Sequence, residues 1–267
     1  MTAFSKKVKI SDLFVSEPNP AWFGNPVNEA LKTWSNGNWL KSRFHFNFAE
    51  WTSGGGSFGC LRVVNDDLVQ PSRGFGRHGH ADMEIVTYIL DGDLTHKDSM
   101  GTSETLSRGS IQFMTAGRGV EHEEHNLNND MPLRFIQTWI TPRRRGLTPN
   151  YGSFSAKNTD IGDQRKNKWC HMVGDQGSSS SAKIQINQDC NLFVAEIDAA
   201  QTVVFTLNEG RQGYLICVEG SAMVDGNLLA RHEACELTSE AGSTVAVQGV
   251  AGDERTHCML FEMSKSR

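Results

Sequence analysis

His78 and His80 stand two residues apart at the head of the apolar run MEIVTYILDG, and His122 and Glu124 stand two apart just after the glycine-rich turn of MTAGRGVEHEEHN. Side chains alternate between the two faces of a β-strand, so residues i and i+2 share a face. Each pair can therefore aim both members at one point, and two such strands can bring three imidazoles and a carboxylate to a single ion. Imidazole suits Fe, Ni, Cu or Zn, and one carboxylate beside three histidines favours a redox metal at a partly open site. A structural zinc site would more often draw on cysteine and close all its positions, and no cysteine lies near either pair. A lone histidine in a strand is ordinarily a satisfied side chain. Two i, i+2 pairs in strand contexts weigh against that bland reading.

The carboxylate position is open at this level. Glu84 shares the strand parity of His78 and His80 and competes with Glu124 for it. Its bland role is a hydrogen-bond acceptor that orients a histidine. Asp82 has the same parity but is expected to face the loop. His125 has the opposite parity to His122 and is expected to face out, His96 reads as surface or rim, and Arg118 in the GRG turn as a solvated cation near the mouth.

The elements that must carry these residues are short strands. MEIVTYILDG, TLSRGSIQFMTAG and PLRFIQTWI recur at short intervals with Gly and Asn between them, and no long 3.6-period apolar stripe intervenes. Many short strands with regular turn signals argue for an all-β sandwich or small barrel. Upstream, RFHFNFA alternates Phe44, Phe46 and Phe48 against His45 and Asn47, which reads as a strand with one buried face. CLRVVNDDLVQP adds a further strand, GGGSFG a flexible loop, and the region around Trp22, Trp34 and Trp39 an irregular arm packed on a core.

Composition shifts abruptly at TPRRRGLTPNYGS, which places a boundary between a first domain, residues 1–142, and a second, 143–267. The second half repeats the first in outline: YILDG and its sequel lie over YLICVEG and its sequel, with Gly92 on Gly220 and Gly117 on Gly242. Self-similarity at this scale points to two domains of one fold. Counting back from Gly220 puts Thr206 and Asn208 at the places of His78 and His80, and STVAVQG at that of His122 and Glu124, so any metal belongs to the first domain alone. GDQGSSSSAKI reads as a loop without chemistry.

Composition narrows the function. At 267 residues and a formal net charge of −5, the chain lacks the strong basic excess of a nucleic-acid binder, and Arg143-Arg144-Arg145 alone reads as a solvated linker. MTAFSKKVKISDLF has no apolar leader core, and no stretch nears the roughly 20 apolar residues that span a bilayer, so a soluble, cytoplasmic protein is expected. Six scattered cysteines without a CxxC pair are expected to be free thiols.

GFGRHGHADMEIVTYILDGDLTHKDSMG and GSIQFMTAGRGVEHEEHN, with RVVNDDLV before them and MPLRFIQTWI after, closely resemble the pirin family, a branch of the cupins, and most of all its bacterial members with quercetin 2,3-dioxygenase activity. The resemblance spans most of the chain, specific in the first half and loose in the second. It implies a bicupin, two tandem cupin (double-stranded β-helix) barrels with few short helices. It also implies one metal in the N-terminal barrel held by His78, His80, His122 and Glu124, with Fe(II) first and Ni, Cu, Co, Mn and Zn as the other divalent choices. The implied reaction is cleavage of a flavonol such as quercetin with dioxygen, Glu124 or, second, Glu84 taking the hydroxyl proton in an apolar pocket lined by Phe and Met. The family also contains iron-dependent, redox-sensitive regulatory proteins, so an alternative is a non-enzymatic metal-binding protein with a protein partner, read out through charges near the mouth. A monomer is expected. Two departures stand out: Gly79 replaces the family's usual proline between the first two histidines, and Glu121 and Glu123 make the site's edge more acidic, which weakens it for an anionic flavonol.

Overall fold

A computed structural model describes residues 3–26, 39–157, 161–252 and 255–265. The chain divides into two compact units, one formed by residues 13–57 and 61–159, the other by residues 1–12, 58–60 and 160–267. They are called here the N-terminal and C-terminal units.

In chain order the strands are β1 (Phe4–Val8), β2 (Phe14–Ser16), β3 (Leu40–Phe44), β4 (Leu61–Val69), β5 (Arg73–His80), β6 (Glu84–Asp91), β7 (Asp93–Asp98), β8 (Ser103–Ser107), β9 (Ile111–Thr115), β10 (Val120–Asn126), β11 (Leu133–Ile140) and β12 (Asn150–Phe154). They continue as β13 (Cys170–Asp175), β14 (Ile184–Ile186), β15 (Cys190–Ile197), β16 (Thr202–Leu207), β17 (Arg211–Glu219), β18 (Ser221–Val224), β19 (Asn227–Ala230), β20 (Ala234–Thr238), β21 (Ser243–Gly249) and β22 (Thr256–Ser264). Helix among the described residues is confined to two 3-10 turns and the short helix Ile161–Arg165.

The two units have one topology. The N-terminal unit pairs a seven-stranded sheet, β12-β9-β6-β11-β4-β3-β2, with a four-stranded sheet, β5-β10-β7-β8. The C-terminal unit pairs β1-β20-β17-β22-β15-β13-β14 with β16-β21-β18-β19. These orders correspond except at one edge, where β2 precedes β3 and runs antiparallel to it while β14 follows β13 and runs parallel to it; at the other edge the place held by β12 in one unit is held by β1, from the chain's start, in the other. Gly92 and Gly220 mark the same bend: both have positive φ, +73° and +64°, and a Cβ on either would meet a backbone carbonyl, of Pro132 just before β11 or of Arg255 just before β22. Only glycine fits a left-handed bend pressed against backbone.

The interiors differ in chemistry. The C-terminal core is apolar and mostly aliphatic: Val203, Leu207, Val224, Val245 and Val247 join Leu215, Leu237 and Leu260, all buried, with Phe205 packed against them. In the N-terminal unit the apolar clusters leave room for buried polar groups, among them Asp67, Glu84, His96, Gln112, His122 and Glu124. Burial of such groups is costly unless each is hydrogen-bonded or coordinated, so they mark where this unit spends stability on something else.

Two local expectations need correction. The strand through RFHFNFA ends at Phe44. The chain turns there, His45 donates its amide to Val64, and His45 is as buried as Phe46. In the arm, Trp39 is fully buried and its indole N–H donates to the Pro18 carbonyl at 2.7 Å, but Trp22 is 70% exposed. Residues 20–23 form a tight 3-10 turn, in which neighbours point about 120° apart. Phe23 takes the inward place beside Trp39 and Phe75, leaving Trp22 outward. Trp34 lies outside the described residues.

The second half's register also differs from a simple count. The bulge near the end of β17, at Val218, has its counterpart at Leu90 on β6, but the turn from β16 into β17 is one residue longer than the turn from β5 into β6. Counting back from Gly220 therefore lands on Thr206, which is exposed, instead of its inward neighbours Phe205 and Leu207. Across the strands, His78 faces His122 in one unit and Phe205 faces Val245 in the other. By strand register, Phe205, Leu207, Val245 and Val247 occupy the places of His78, His80, His122 and Glu124.

Candidate metal centre

β5 and β10 lie antiparallel with His78 opposite His122 and His80 opposite Val120. Between His122 and Glu124 the register slips, so that Glu124 stands opposite Phe75. The extra residue on β5 lets Phe75 and His78 both face inward, and it sets the Gly76 carbonyl 2.7 Å from His78 Nδ1. A carbonyl only accepts, so Nδ1 carries a proton and Nε2 is the nitrogen left for a ligand. That fixing of the tautomer is what a metal-ligating histidine needs.

His78 Nε2 and His122 Nε2 are 3.1 Å apart. The three rings of His78, His80 and His122 pack with centroids 4.5 to 4.9 Å from one another, and one ligand atom from each lies within 4.8 Å of the others. Burial, followed by the neighbouring imidazoles, lowers His80 and His122 to about 3. Both are therefore neutral at pH 7 and offer lone pairs.

A second triad shares His122. His96, His122 and Glu124 are all buried, and their ligand atoms also lie within 4.8 Å of one another. His96 was expected at the rim, yet it is 1% exposed. β7 starts directly after the Gly92 bend and runs without interruption to Asp98, with Leu94 and His96 on its inner face and His96 opposite Glu124 on β10. Asp98 Oδ2 accepts from His96 Nε2 at 3.1 Å. Burial raises the Asp98 carboxyl, but the hydrogen bonds from His96 and from the amides of Thr102 and Met100 win and hold it below its ordinary value. With Nε2 so engaged, His96 Nδ1 is left buried without a hydrogen-bond partner, as is His122 Nδ1. Unpartnered buried nitrogens are uncommon, and here they lie on rings of the cluster itself.

Glu124 is clamped. Gln112 Nε2 donates to Oε1 at 2.9 Å and Gln137 Nε2 to Oε2 at 2.7 Å, while the Trp139 indole N–H donates to Gln137 Oε1 at 3.0 Å. Each carboxylate oxygen has a further lone pair, so this support is compatible with coordination. Tyr151 Oη reaches Glu104 and Gln112, at 2.9 and 3.1 Å, which fixes the amide from behind. Neither glutamine was singled out from sequence. The signal available was a lone amide in each of two otherwise buried strand runs, SIQFMT and FIQTWI.

Glu84 joins neither triad. It is wholly buried, opposite Thr115, whose hydroxyl donates to Oε2 at 2.8 Å. Asp82 faces the loop and accepts from the Gly146 amide. His125 is part-exposed beside Glu123, and Arg118 reaches only Thr148 on the surface. The rim is less acidic than its sequence suggests, because Glu121 pairs with Arg77 at 2.9 Å and Glu123 with Lys97 at 3.6 Å.

The donor set fits a divalent metal: neutral imidazoles facing one another, one tautomer fixed by backbone, orphaned ring nitrogens and an adjacent carboxylate. Three of the four histidines are also flanked by an aromatic side chain, Phe23 at 6.4 Å from His78, Trp139 at 4.8 Å from His80, and Tyr151 at 4.6 Å, stacked, on His96. Two barrels of one topology, one of them holding a candidate His/Glu metal site, make this chain a bicupin.

Comparison with known proteins agrees. Residues 26–140 match the Pirin family and residues 174–263 the quercetinase C-terminal cupin domain. A pirin-like protein from Caulobacter vibrioides is 35% identical over 208 residues, covering 78% of this chain and 87% of that one. A quercetin 2,3-dioxygenase from Escherichia coli O157:H7 is 33% identical over 230 residues, covering 86% and 94%. The chain belongs to the pirin family. Among solved structures, Escherichia coli YhhW superposes with a TM-score of 0.78 at 25% identity over 97% of each chain, and the same bacterial pirin in complex with nickel(II) with 0.77 at 24%.

Proposed function

We propose that this chain is a cytoplasmic, metal-dependent dioxygenase that opens a flavonol such as quercetin, with Fe(II) held by His78, His80, His122 and Glu124. The observation that carries the reading is the convergence of three imidazoles beside a clamped, buried carboxylate, walled by aromatic rings. Relatives named quercetin 2,3-dioxygenase at about one-third identity support the substrate class. Bound there, the metal supplies Lewis acidity that lowers the pKa of the flavonol 3-hydroxyl. The chain's own residues do the rest. Glu124 takes the hydroxyl proton, and Gln112 and Gln137 hold its carboxylate where it can. Trp139 and Phe23 offer an apolar wall for the flat substrate. Glu84, the second buried carboxylate, is the alternative base. Free thiols at all six cysteines suit a reducing compartment. Among the described residues no helix is long and apolar enough to cross a membrane.

The alternative, a metal-dependent regulatory protein, needs a charged docking patch at the mouth. Pairing of Glu121 with Arg77 and of Glu123 with Lys97 weakens that case. The deciding assay supplies quercetin and air to iron-loaded protein and follows flavonol absorbance and carbon monoxide. Turnover that depends on the metal is expected. No turnover with Fe, Ni, Cu, Co, Mn or Zn would overturn the assignment.

A further inference from the structure

His96 has no place in the ligand set that the family resemblance implies, yet it is held as firmly as any histidine of the centre. It is buried, and β7 sets it opposite Glu124, with Asp98 opposite His122. Asp98 Oδ1 accepts from the amides of Met100 and Thr102 at 2.9 and 3.0 Å, and Oδ2 accepts from His96 Nε2 at 3.1 Å. Tyr151 stacks on the His96 ring, and its own hydroxyl is tied to Glu104 and Gln112. The ring is thus fixed at one edge and on one face. Its Nε2 carries a proton, so Nδ1 is the nitrogen left for a ligand, and Nδ1 is buried without a hydrogen-bond partner. A purely structural histidine would leave that atom unsatisfied, which is uncommon. A ring that donates one nitrogen to a carboxylate and keeps the other bare is oriented as metal ligands are.

In the four-stranded sheet β10 lies between β5 and β7, so His122 stands between His96 on one side and His78 and His80 on the other. Its ring centroid is 5.3 Å from that of His96 and 4.5 and 4.9 Å from those of His78 and His80. Nε2 of His122 is 3.1 Å from Nε2 of His78, whereas Nδ1 of His122 has no partner, like Nδ1 of His96. Donor atoms of His78, His80 and His122 lie within 4.8 Å of one another, and so do those of His96, His122 and Glu124. The two sets have only His122 in common. An ion with bonds of about 2.1 Å keeps its donors within roughly 4.2 Å of each other, close to the span of either set. One set is all imidazole. The other adds a carboxylate whose two oxygens each accept one glutamine N–H, leaving a lone pair on each.

We propose that this centre gives an ion a second position, held by His96 Nδ1, His122 and Glu124, beside the one at His78, His80 and His122. The hardness of the ion decides between them: Mn(II) takes the position with the carboxylate and Cu(II) the one with three imidazoles. This deepens the metal-dependent reading above and rests on it, but not on any reaction with a flavonol. His96 is a specificity-determining ligand, and Asp98 and Tyr151 position it.

The test uses full-length protein without a metal-binding tag, stripped by chelation and reloaded with one equivalent of Mn(II) or Cu(II). In the parent, pulsed electron paramagnetic resonance is expected to show nitrogen couplings from two imidazoles for Mn(II) and from three for Cu(II). Chelator competition then compares His96→Gln with His80→Gln. His96→Gln is expected to weaken Mn(II) binding by at least about tenfold and to leave Cu(II) binding as in the parent. His80→Gln is expected to do the reverse. The same imidazole couplings for both ions in the parent would overturn the proposal, whether or not the variants fold. So would a folded His96→Gln protein that holds both ions as the parent does, or that loses both alike. Substrate enters neither measurement, so a protein inert toward quercetin would count against the dioxygenase alone.

Discussion

The two barrels share a strand order and a register, and they differ in what five inward positions carry. In the N-terminal barrel these are His78, His80, His96, His122 and Glu124. In the C-terminal barrel the same register places hold Phe205, Leu207, Val224, Val245 and Val247, all within or against an aliphatic core. Topology therefore supplies the convergence, and the side chains decide whether it becomes a dry core or a polar centre. The polar centre also has a second layer that the aliphatic barrel does not need: Gln112, Gln137, Trp139, Tyr151 and Asp98 are all spent on orienting the residues that face inward.

The largest expected effect comes from trying to erase the difference. A double change, Phe205→His with Val245→His, places imidazoles at the register places of His78 and His122. Without a clamped carboxylate or a carbonyl like that of Gly76, the account predicts destabilisation by about 2–5 kcal/mol in chemical denaturation and no second metal. Metal gained there would show that ligand type alone suffices and would break the comparison. A smaller effect is expected from loosening the support in the equipped barrel. Gln137→Ala leaves all inward residues in place but frees Oε2 of Glu124 and the Trp139 indole, and should lower metal affinity or kcat by about 10–100-fold. A chelator competition titration reads the first and steady-state flavonol turnover the second.

The smallest effect concerns the stability that the polar interior costs. Burial, with Asp66 and Glu124 nearby, pushes the Asp67 carboxyl up to about 8. A carboxyl with a raised folded-state pKa contributes stability that is complete below its unfolded value near 4 and is lost as pH rises through about 8. Asp67→Asn removes that dependence, so its melting temperature is expected to exceed that of the parent by about 2–5 °C at pH 9 and to match it near pH 4. Equal pH profiles would show that Asp67 ionises freely.

Much of this was legible in the sequence, for physical reasons. The i, i+2 histidine and glutamate pairs could be read because strand parity is rigid, and the duplication because Gly92 and Gly220 answer one steric demand. Other features were hidden because they depend on distant backbone. The longer turn between β16 and β17 shifts the second half by one residue, which local periodicity does not reveal. His96 read as rim because the Gly92 bend looked like the end of a strand, whereas β7 begins there. The exchange that gives β1 to the C-terminal unit is a pairing between chain ends, far beyond any window of periodicity. The glutamine clamp on Glu124 is likewise a long-range pairing.

The central claim is that one barrel of the two holds one metal, through His122 at the junction of both triads. Metal content of protein purified without a metal-binding tag, measured by elemental analysis for the parent, His122→Ala and Glu84→Gln, tests it most directly. The account predicts one equivalent per chain in the parent and in Glu84→Gln, and close to none in His122→Ala. Two equivalents in the parent, retention in His122→Ala, or loss in Glu84→Gln would contradict it.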